Sequence, residues 1–396
     1  MDISELKNVS DVKPLVIPLH EVAHLVIEPT YECNIQCEIC YNTSSSGSKS
    51  MAELQHEIKL AMTKRKLDTI SILGGEPTLY PHLEELISYI RSLGLHCQML
   101  SNGIRFLETG GEEYLKSLKN AGLERILIHA DEGQVDKIDV NSFGHTVFQL
   151  LEKHRIWFGL TMTVYPSNVM HLPIKIKEFS VYRFFDGILA TLAKDFEEII
   201  HKNKELHPDL NETIRYLSVL NIKPATYLPT SRNHNHISWL IYFYYINSET
   251  GESLSLSGRM IDVFRKLYRF LYGKQFFSTQ LKQKWFIPMF MGIIVVQLIL
   301  GPNRLSTLRS LYTLLRKSRW LRSLRFHYLV IQQGPVYDPE SDDVEICYHC
   351  PDATIRNGVL TPVCLADKIN PLDGQSISED WIPVQKHVFG HLGENH

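Results

Sequence analysis

Between about residues 22 and 190 one plan recurs six times, and it restricts the possible folds more than anything else in the chain. Each unit is a short apolar β-like run, then small or polar residues, then a helical stretch. The runs are H-L-V-I-E-P (24–29), T-I-S-I-L (69–73), H-C-Q-M-L (96–100), R-I-L-I-H-A (125–130), F-G-L-T-M-T-V (158–164) and F-F-D-G-I-L-A (184–190). The stretch P-H-L-E-E-L-I-S-Y-I-R-S-L-G (81–94) opens on a proline, sets Leu83, Leu86, Ile87 and Ile90 on one face and ends at Gly94. That period and punctuation predict a helix. Parallel strands need a helical crossover, so alternating strands and helices predict parallel βα units. Six of them predict an α/β fold arranged as an open or partial (β/α)6 barrel.

Chemistry in such a fold sits at the C-terminal ends of the strands. The segments found there are T-Y-E-C-N-I-Q-C-E-I-C-Y (30–41), G-G-E-P (74–77), S-N-G (101–103), D-E-G (131–133) and Y-P-S-N (165–168). Each alone reads as turn chemistry. Together they converge on one rim.

The first of these segments holds three cysteines, Cys33, Cys37 and Cys40, spaced C-x3-C-x2-C. A further three, Cys347, Cys350 and Cys364, are spaced C-x2-C-x13-C, and Cys97 stands alone on a predicted strand as a core residue. Seven cysteines with six in two triplets argue for metal ligation in a reducing cytoplasm, not for a disulfide framework. The N-terminal M-D-I-S-E-L-K-N-V-S carries no basic region before an apolar run, so no secretory signal is expected. Structural zinc wants four closed ligands, and the nearby His20, His24 and His56 lack finger-like spacing. Electron-transfer cubanes use four thiolates, so three thiolates leave one iron open to a non-protein ligand. Zinc remains the alternative reading.

These segments resemble the radical S-adenosylmethionine (SAM) superfamily over roughly residues 22 to 190. The resemblance implies that Cys33, Cys37 and Cys40 hold a [4Fe–4S] cluster whose open iron is chelated by SAM. It implies reductive cleavage of SAM to methionine and a 5′-deoxyadenosyl radical that abstracts hydrogen from a substrate, with flavodoxin or ferredoxin as the type of electron donor. Gly74, Gly75, Glu76 and Pro77 match the stretch that meets the SAM amino group, which suits a carboxylate facing an ammonium. Ser101, Asn102 and Gly103 stand where relatives have T-N-G. His129, Ala130 and Asp131 stand where many have S-L-D, and Asn168 fits a recurrent Asn after the next strand. Ile39 departs from the usual aromatic residue, with Tyr41 following one place late.

The second triplet is similar in spacing to the C-terminal auxiliary cluster of the GTP-cyclising enzyme of molybdenum-cofactor synthesis. Its arginines are replaced here by Asp352 and Thr354, and its terminal Gly-Gly is absent from H-L-G-E-N-H. A nucleoside triphosphate wants fixed cations, so a second [4Fe–4S] cluster is expected without that substrate. A structural zinc completed by His349 or a distant histidine is the alternative.

Between barrel and second triplet, residues 259 to 337 hold fourteen Lys/Arg against Asp262 alone, which is +13 there and −16 elsewhere in a chain of net charge −3. The run W-F-I-P-M-F-M-G-I-I-V-V-Q-L-I-L-G (285–301), seventeen residues broken by Pro288 and Gln297, is short for a span of about 20 apolar residues. Residues 259 to 330 read as helical and basic; within 304–328, Leu305, Leu308, Tyr312 and Leu315 share a face near Trp320. Such helices lie on anionic membranes, which points to a lipid or lipid-linked substrate and a peripheral position at the inner face of the membrane. Peptide- or nucleotide-modifying chemistry and a zinc-stabilised non-catalytic binding protein are the other readings. No nucleic-acid recognition motif accompanies the basic surface. Residues 194–218 read as helical, 237–246 as a buried strand or apolar wall, and 44–50 (S-S-S-G-S-K-S) as a mobile loop or lid. The expected division is an N-terminal extension (1–21), the barrel (22–192), a substrate-related region (193–339) and a loop-rich cluster-binding region (340–396).

Overall fold

The computed structural model describes residues 1–6, 11–37, 40–42, 46–129, 140–193, 209–275, 323–338 and 343–366, with isolated positions at 292, 295, 308, 309 and 312. Six parallel strands follow one another in chain order: β2 (His24–Ile27), β3 (Thr69–Ile72), β4 (His96–Ser101), β5 (Arg125–His129), β6 (Trp157–Val164) and β7 (Phe185–Leu192). Each matches a predicted run to within a few residues, because each is an apolar stretch bounded by turn residues. The crossovers include α1 (Met51–Lys64), α2 (Leu83–Ser92), α3 (Gly111–Ala121), α4 (Val140–Lys153) and α5 (Leu172–Phe179). On α2 the buried residues are Leu83, Leu86, Ile87 and Ile90, and burial of each stabilises by about 1.5–3 kcal/mol.

The sheet does not stop at β7. Strand β11 (Leu324–Gln332) lies beside it in parallel, β9 (Ile237–Asn247) pairs antiparallel to β11, and β8 (Thr226–Pro229) and β1 (Lys13–Pro14) continue the path, with β10 (Ser253–Ser255) on β9. The result is an open, unclosed sheet of eleven strands. All eleven residues of β9 are buried, as its aromatic run predicts. The expectation of helix up to residue 330 is corrected here: L-R-F-H-Y-L-V-I-Q is a strand. Its β-branched and aromatic residues fill the slot between β7 and β9. Helical structure is present earlier, in α6 (Leu210–Leu217) and α7 (Gly258–Tyr272).

Nor is the end of the chain all loop. Strands β14 (Ala353–Arg356) and β15 (Val359–Pro362) form a hairpin, and β12 (Val336–Asp338) pairs with β13 (Asp343–Glu345). The hairpin packs beside β2, the last strand of the sheet, with Ala353, Ile355 and Leu360 in the main core. It thereby covers an edge that would otherwise offer unpaired backbone groups. Within the apolar run 285–301 only Gly292 and Val295 are described, both helical and exposed; the rest of that run, the division of the tail beyond 366, and Leu305, Leu315 and Trp320 lie outside the described residues. Leu308 and Tyr312 are helical and exposed. Among the described residues, no helix is long and apolar enough to cross a membrane.

Candidate functional site

The loop after β2 carries Cys33, Cys37 and Cys40, with Cys33 and Cys40 exposed and Cys37 half-buried; none of the seven cysteines, all of them among the described residues, is in a disulfide. Its root is fixed by the segment after β3. Gly75 N–H donates to Thr30 O at 2.8 Å and Glu76 N–H to Glu32 O at 2.7 Å. A Cβ on Gly74 would stand 2.2 Å from Thr30 O, and one on Gly75 2.1 Å from Glu32 O. The two glycines are therefore needed for backbone-to-backbone contact between the two loops.

Glu76 is 1% exposed. Its Oε1 accepts from Thr78 N–H at 3.1 Å, Thr78 Oγ1 at 2.7 Å and Ser101 Oγ at 2.7 Å, and its Oε2 accepts from Asn102 N–H at 2.8 Å. Burial holds its carboxyl above the usual range, and these hydrogen bonds work against that shift. Asn102 Nδ2 donates to Asn34 Oδ1 at 2.7 Å, inside the cysteine loop. G-G-E-P, S-N-G and the first triplet thus meet at one rim, as predicted. Burial raises the Cys33 thiol, which also senses the charges of Glu76, Cys37 and Cys40.

Tyr41 donates its hydroxyl to Gly74 O at 3.2 Å and is raised well above the usual phenol value by burial, then by Glu28. His129 Nδ1 lies 3.0 Å from Thr161 Oγ1 at the same end of the sheet. Asn168 is buried and closes its own turn, accepting from Tyr165 N–H at 2.9 Å and donating to Thr163 O at 3.0 Å. Ala130 and Asp131 lie outside the described residues, as does Ile39. The expected lid is corrected over its second half. Ser48 bridges to Thr30, Lys49 pairs with Glu57 at 2.7 Å, and Ser50 with Glu53 forms the capping box of α1.

In the second triplet Cys347 and Cys350 are buried and Cys364 is exposed. Hydrogen bonding from Cys350 lowers Cys347, and the same contact, with burial, holds Cys350 well above the usual thiol value. Ser238 Oγ donates to Cys347 Sγ at 3.1 Å. Both thiols join an apolar cluster with Trp239, Ile241, Phe243, Tyr245 and Tyr328. Arg65, pulled down to about 10 by burial, donates to Cys350 O at 3.0 Å and to His24 O at 2.9 Å. His24 Nδ1 lies 3.0 Å from Pro351 O and 3.1 Å from Asp352 Oδ1, while Gln332 Nε2 donates to Asp352 Oδ2 at 3.0 Å. A buried polar row continues across the strands. His24 Nε2 is 2.6 Å from Ser71 Oγ, Gln98 donates to Ser71, Arg125 donates to Gln98 at 2.8 Å, and Arg125 pairs with Asp186 at 2.7 Å. Sequence reasoning missed Glu28, Arg65, Asp352 as a lining residue, and Arg356. Their only signal is a charge within or beside a buried apolar run.

The donor chemistry fits iron–sulfur ligation at the first loop, where three thiols share one short segment within electrostatic reach of each other. Among the described residues no three His, Cys, Asp or Glu side chains are gathered on a single ion position. Cys97 is fully buried on β4, the core residue that was expected.

The Radical SAM superfamily model matches residues 27–178. Among curated proteins, the chain is similar to a 7,8-dihydro-6-hydroxymethylpterin dimethyltransferase of Methanocaldococcus jannaschii, 35% identical over 111 residues, 26% of this chain and 21% of that protein. It is also similar to a PqqA peptide cyclase of Xanthomonas oryzae pv. oryzae, 28% identical over 116 residues, 27% of this chain and 29% of that protein. The chain spans less than a third of the length of either relative. The crystal structure of SuiB from Streptococcus suis superposes with a TM-score of 0.40 at 15% identity, over 52% of this chain and 47% of that one. Residues 27–178, whose cysteine loop and G-G-E-P segment meet at one end of the parallel strands, carry a Radical SAM superfamily domain.

Proposed function

We propose that the chain is an enzyme that binds SAM at a [4Fe–4S] cluster on Cys33, Cys37 and Cys40 and takes a hydrogen atom from a substrate held against the inner face of the sheet. The observation that carries this is Glu76, a buried carboxylate fixed by Ser101, Thr78 and Asn102 beside the three-thiol loop. Among the described residues its Oε2 accepts a single hydrogen bond, which suits it to orient an ammonium group. When bound and reduced by a donor of the flavodoxin or ferredoxin type, the cluster supplies the electron that divides SAM into methionine and a 5′-deoxyadenosyl radical. The chain's own part is to hold the loop, orient the ammonium through Glu76 and keep water away.

A second [4Fe–4S] cluster on Cys347, Cys350 and Cys364 would sit at the apolar cluster of Trp239, Phe243 and Tyr328, a dry wall for a radical reaction. For the substrate, the reading is a lipid or lipid-linked precursor. Val263, Leu267, Phe270 and Leu271 on α7 are exposed beside the exposed Arg259 and Lys266, a mixture suited to an anionic membrane surface. A peptide substrate is the second reading, favoured by the similarity to the PqqA peptide cyclase.

The test is anaerobic incubation with SAM and reductant, with lipid extracts or peptides offered, and mass spectrometry for deoxyadenosine and a mass-shifted product. Cys37→Ala should abolish SAM cleavage, and retained cleavage would refute the assignment. Iron analysis should give about eight irons per chain for two cubanes; a colourless zinc protein would support the non-catalytic alternative.

A further inference from the structure

One side chain joins the segment of the second triplet to the root of the first cysteine loop. Arg356, the last residue of β14, sets one terminal nitrogen 2.7 Å from Glu28 Oε2. Its other terminal nitrogen donates to the Tyr31 hydroxyl, and the guanidinium lies 5.0 Å from the centre of the Tyr31 ring. Glu28 follows β2 directly and is 0% exposed; Tyr31 stands two residues before Cys33. A carboxylate so deeply buried persists as an anion only beside a cation. At the other end of β2, His24 meets Pro351 O while Arg65 joins His24 O to Cys350 O. The C-terminal segment therefore grips β2 at both ends. Arginine suits the task because its planar fork reaches two acceptors and stacks on a ring at once, whereas an ammonium reaches one point.

We propose that Arg356 is a positioning residue that couples the two cysteine loops. Through Glu28 and Tyr31 it fixes how residues 30–37 leave β2, and so how Cys33, Cys37 and Cys40 face Gly74, Gly75 and Glu76. The part concerning cluster geometry rests on the reading of these cysteines as ligands; the coupling itself does not.

The experiment compares the wild-type chain, Arg356→Lys, and the double variant Glu28→Gln with Arg356→Met by hydrogen–deuterium exchange without metal. The reconstituted, reduced proteins are then compared by electron paramagnetic resonance with and without SAM. The double variant removes both charges and leaves no lone buried ion. Its amides over 30–37 should exchange about tenfold or more faster while those of β5 and α3 keep wild-type rates. Arg356→Lys should fall between, and should serve alone if the double variant does not fold. The SAM-induced change in the cluster spectrum should weaken in the same order. Wild-type exchange over 30–37 in folded Arg356→Lys and in the double variant would overturn the coupling. If instead exchange responds as expected but the wild-type chain binds no cluster, the coupling stands and the reading of the first triplet falls.

Discussion

Glu76 has both carboxylate oxygens engaged by neighbouring loops, and Ser101 supplies one of the four hydrogen bonds. Ser101→Ala should cost about 1 kcal/mol of stability, read by thermal denaturation, and should weaken SAM binding in equilibrium dialysis. Because burial raises the Glu76 carboxyl, protonation begins at higher pH than for an ordinary Glu. Only the anion attracts an ammonium, so SAM affinity should fall on acidification while the pH is still above the usual Glu value of 4.5. Affinity measured from pH 8 downward, with no loss until below 4.5, would contradict this. Thiol exposure gives a separate check. In native metal-free protein, iodoacetamide should label Cys33, Cys40 and Cys364 well before the buried Cys97, Cys347 and Cys350; peptide mass mapping reads the order. At this scale the meeting of the cysteine loop with the G-G-E-P segment was legible in the sequence, since each directly follows its own strand. Arg356 was not, because its partner Tyr31 lies 325 positions away and only the fold makes them neighbours.

At the scale of elements, the segment after β3 and the loop after β2 form one unit. Gly75→Ala would put a methyl group 2.1 Å from Glu32 O, a backbone atom with little room to yield. A loss of about 1–3 kcal/mol is expected, with the cysteine loop displaced. Chemical denaturation and iron content should both fall; wild-type values for both would show that the loops move apart freely. The six parallel strands could be read from sequence because each carries its own turn signals. Strand β11 could not, because it follows a long basic stretch with helical spacing. Its identity comes from β7 and β9, which present open hydrogen-bonding edges on either side. The hairpin of β14 and β15 does not stand out within the loop-rich stretch because its strands are only four residues each, too short to establish a period.

For the whole molecule, the hairpin that lies between Cys350 and Cys364 also shields β2, the terminal strand of the sheet. A chain ending at Asp338 should therefore lose more than Cys347, Cys350 and Cys364. It should expose the β2 edge, leave Glu28 without Arg356 and aggregate. Size-exclusion chromatography would show this, and a monodisperse truncated monomer would contradict it. The barrel half was visible in the sequence as a repeat, whereas its continuation through β11, β9 and β8 was hidden because those strands come in neither chain order nor a repeating plan.

The place of β11 also bears on how the protein is made. Strand β7 ends at Leu192, yet its neighbour in the sheet begins at Leu324. During synthesis the N-terminal strands must wait, one flank bare, while the ribosome delivers more than a hundred further residues. That interval favours slow, non-local assembly and capture by chaperones. Nascent chains stalled before residue 324 should be sensitive to protease and should become resistant only once Gln332 has cleared the exit tunnel.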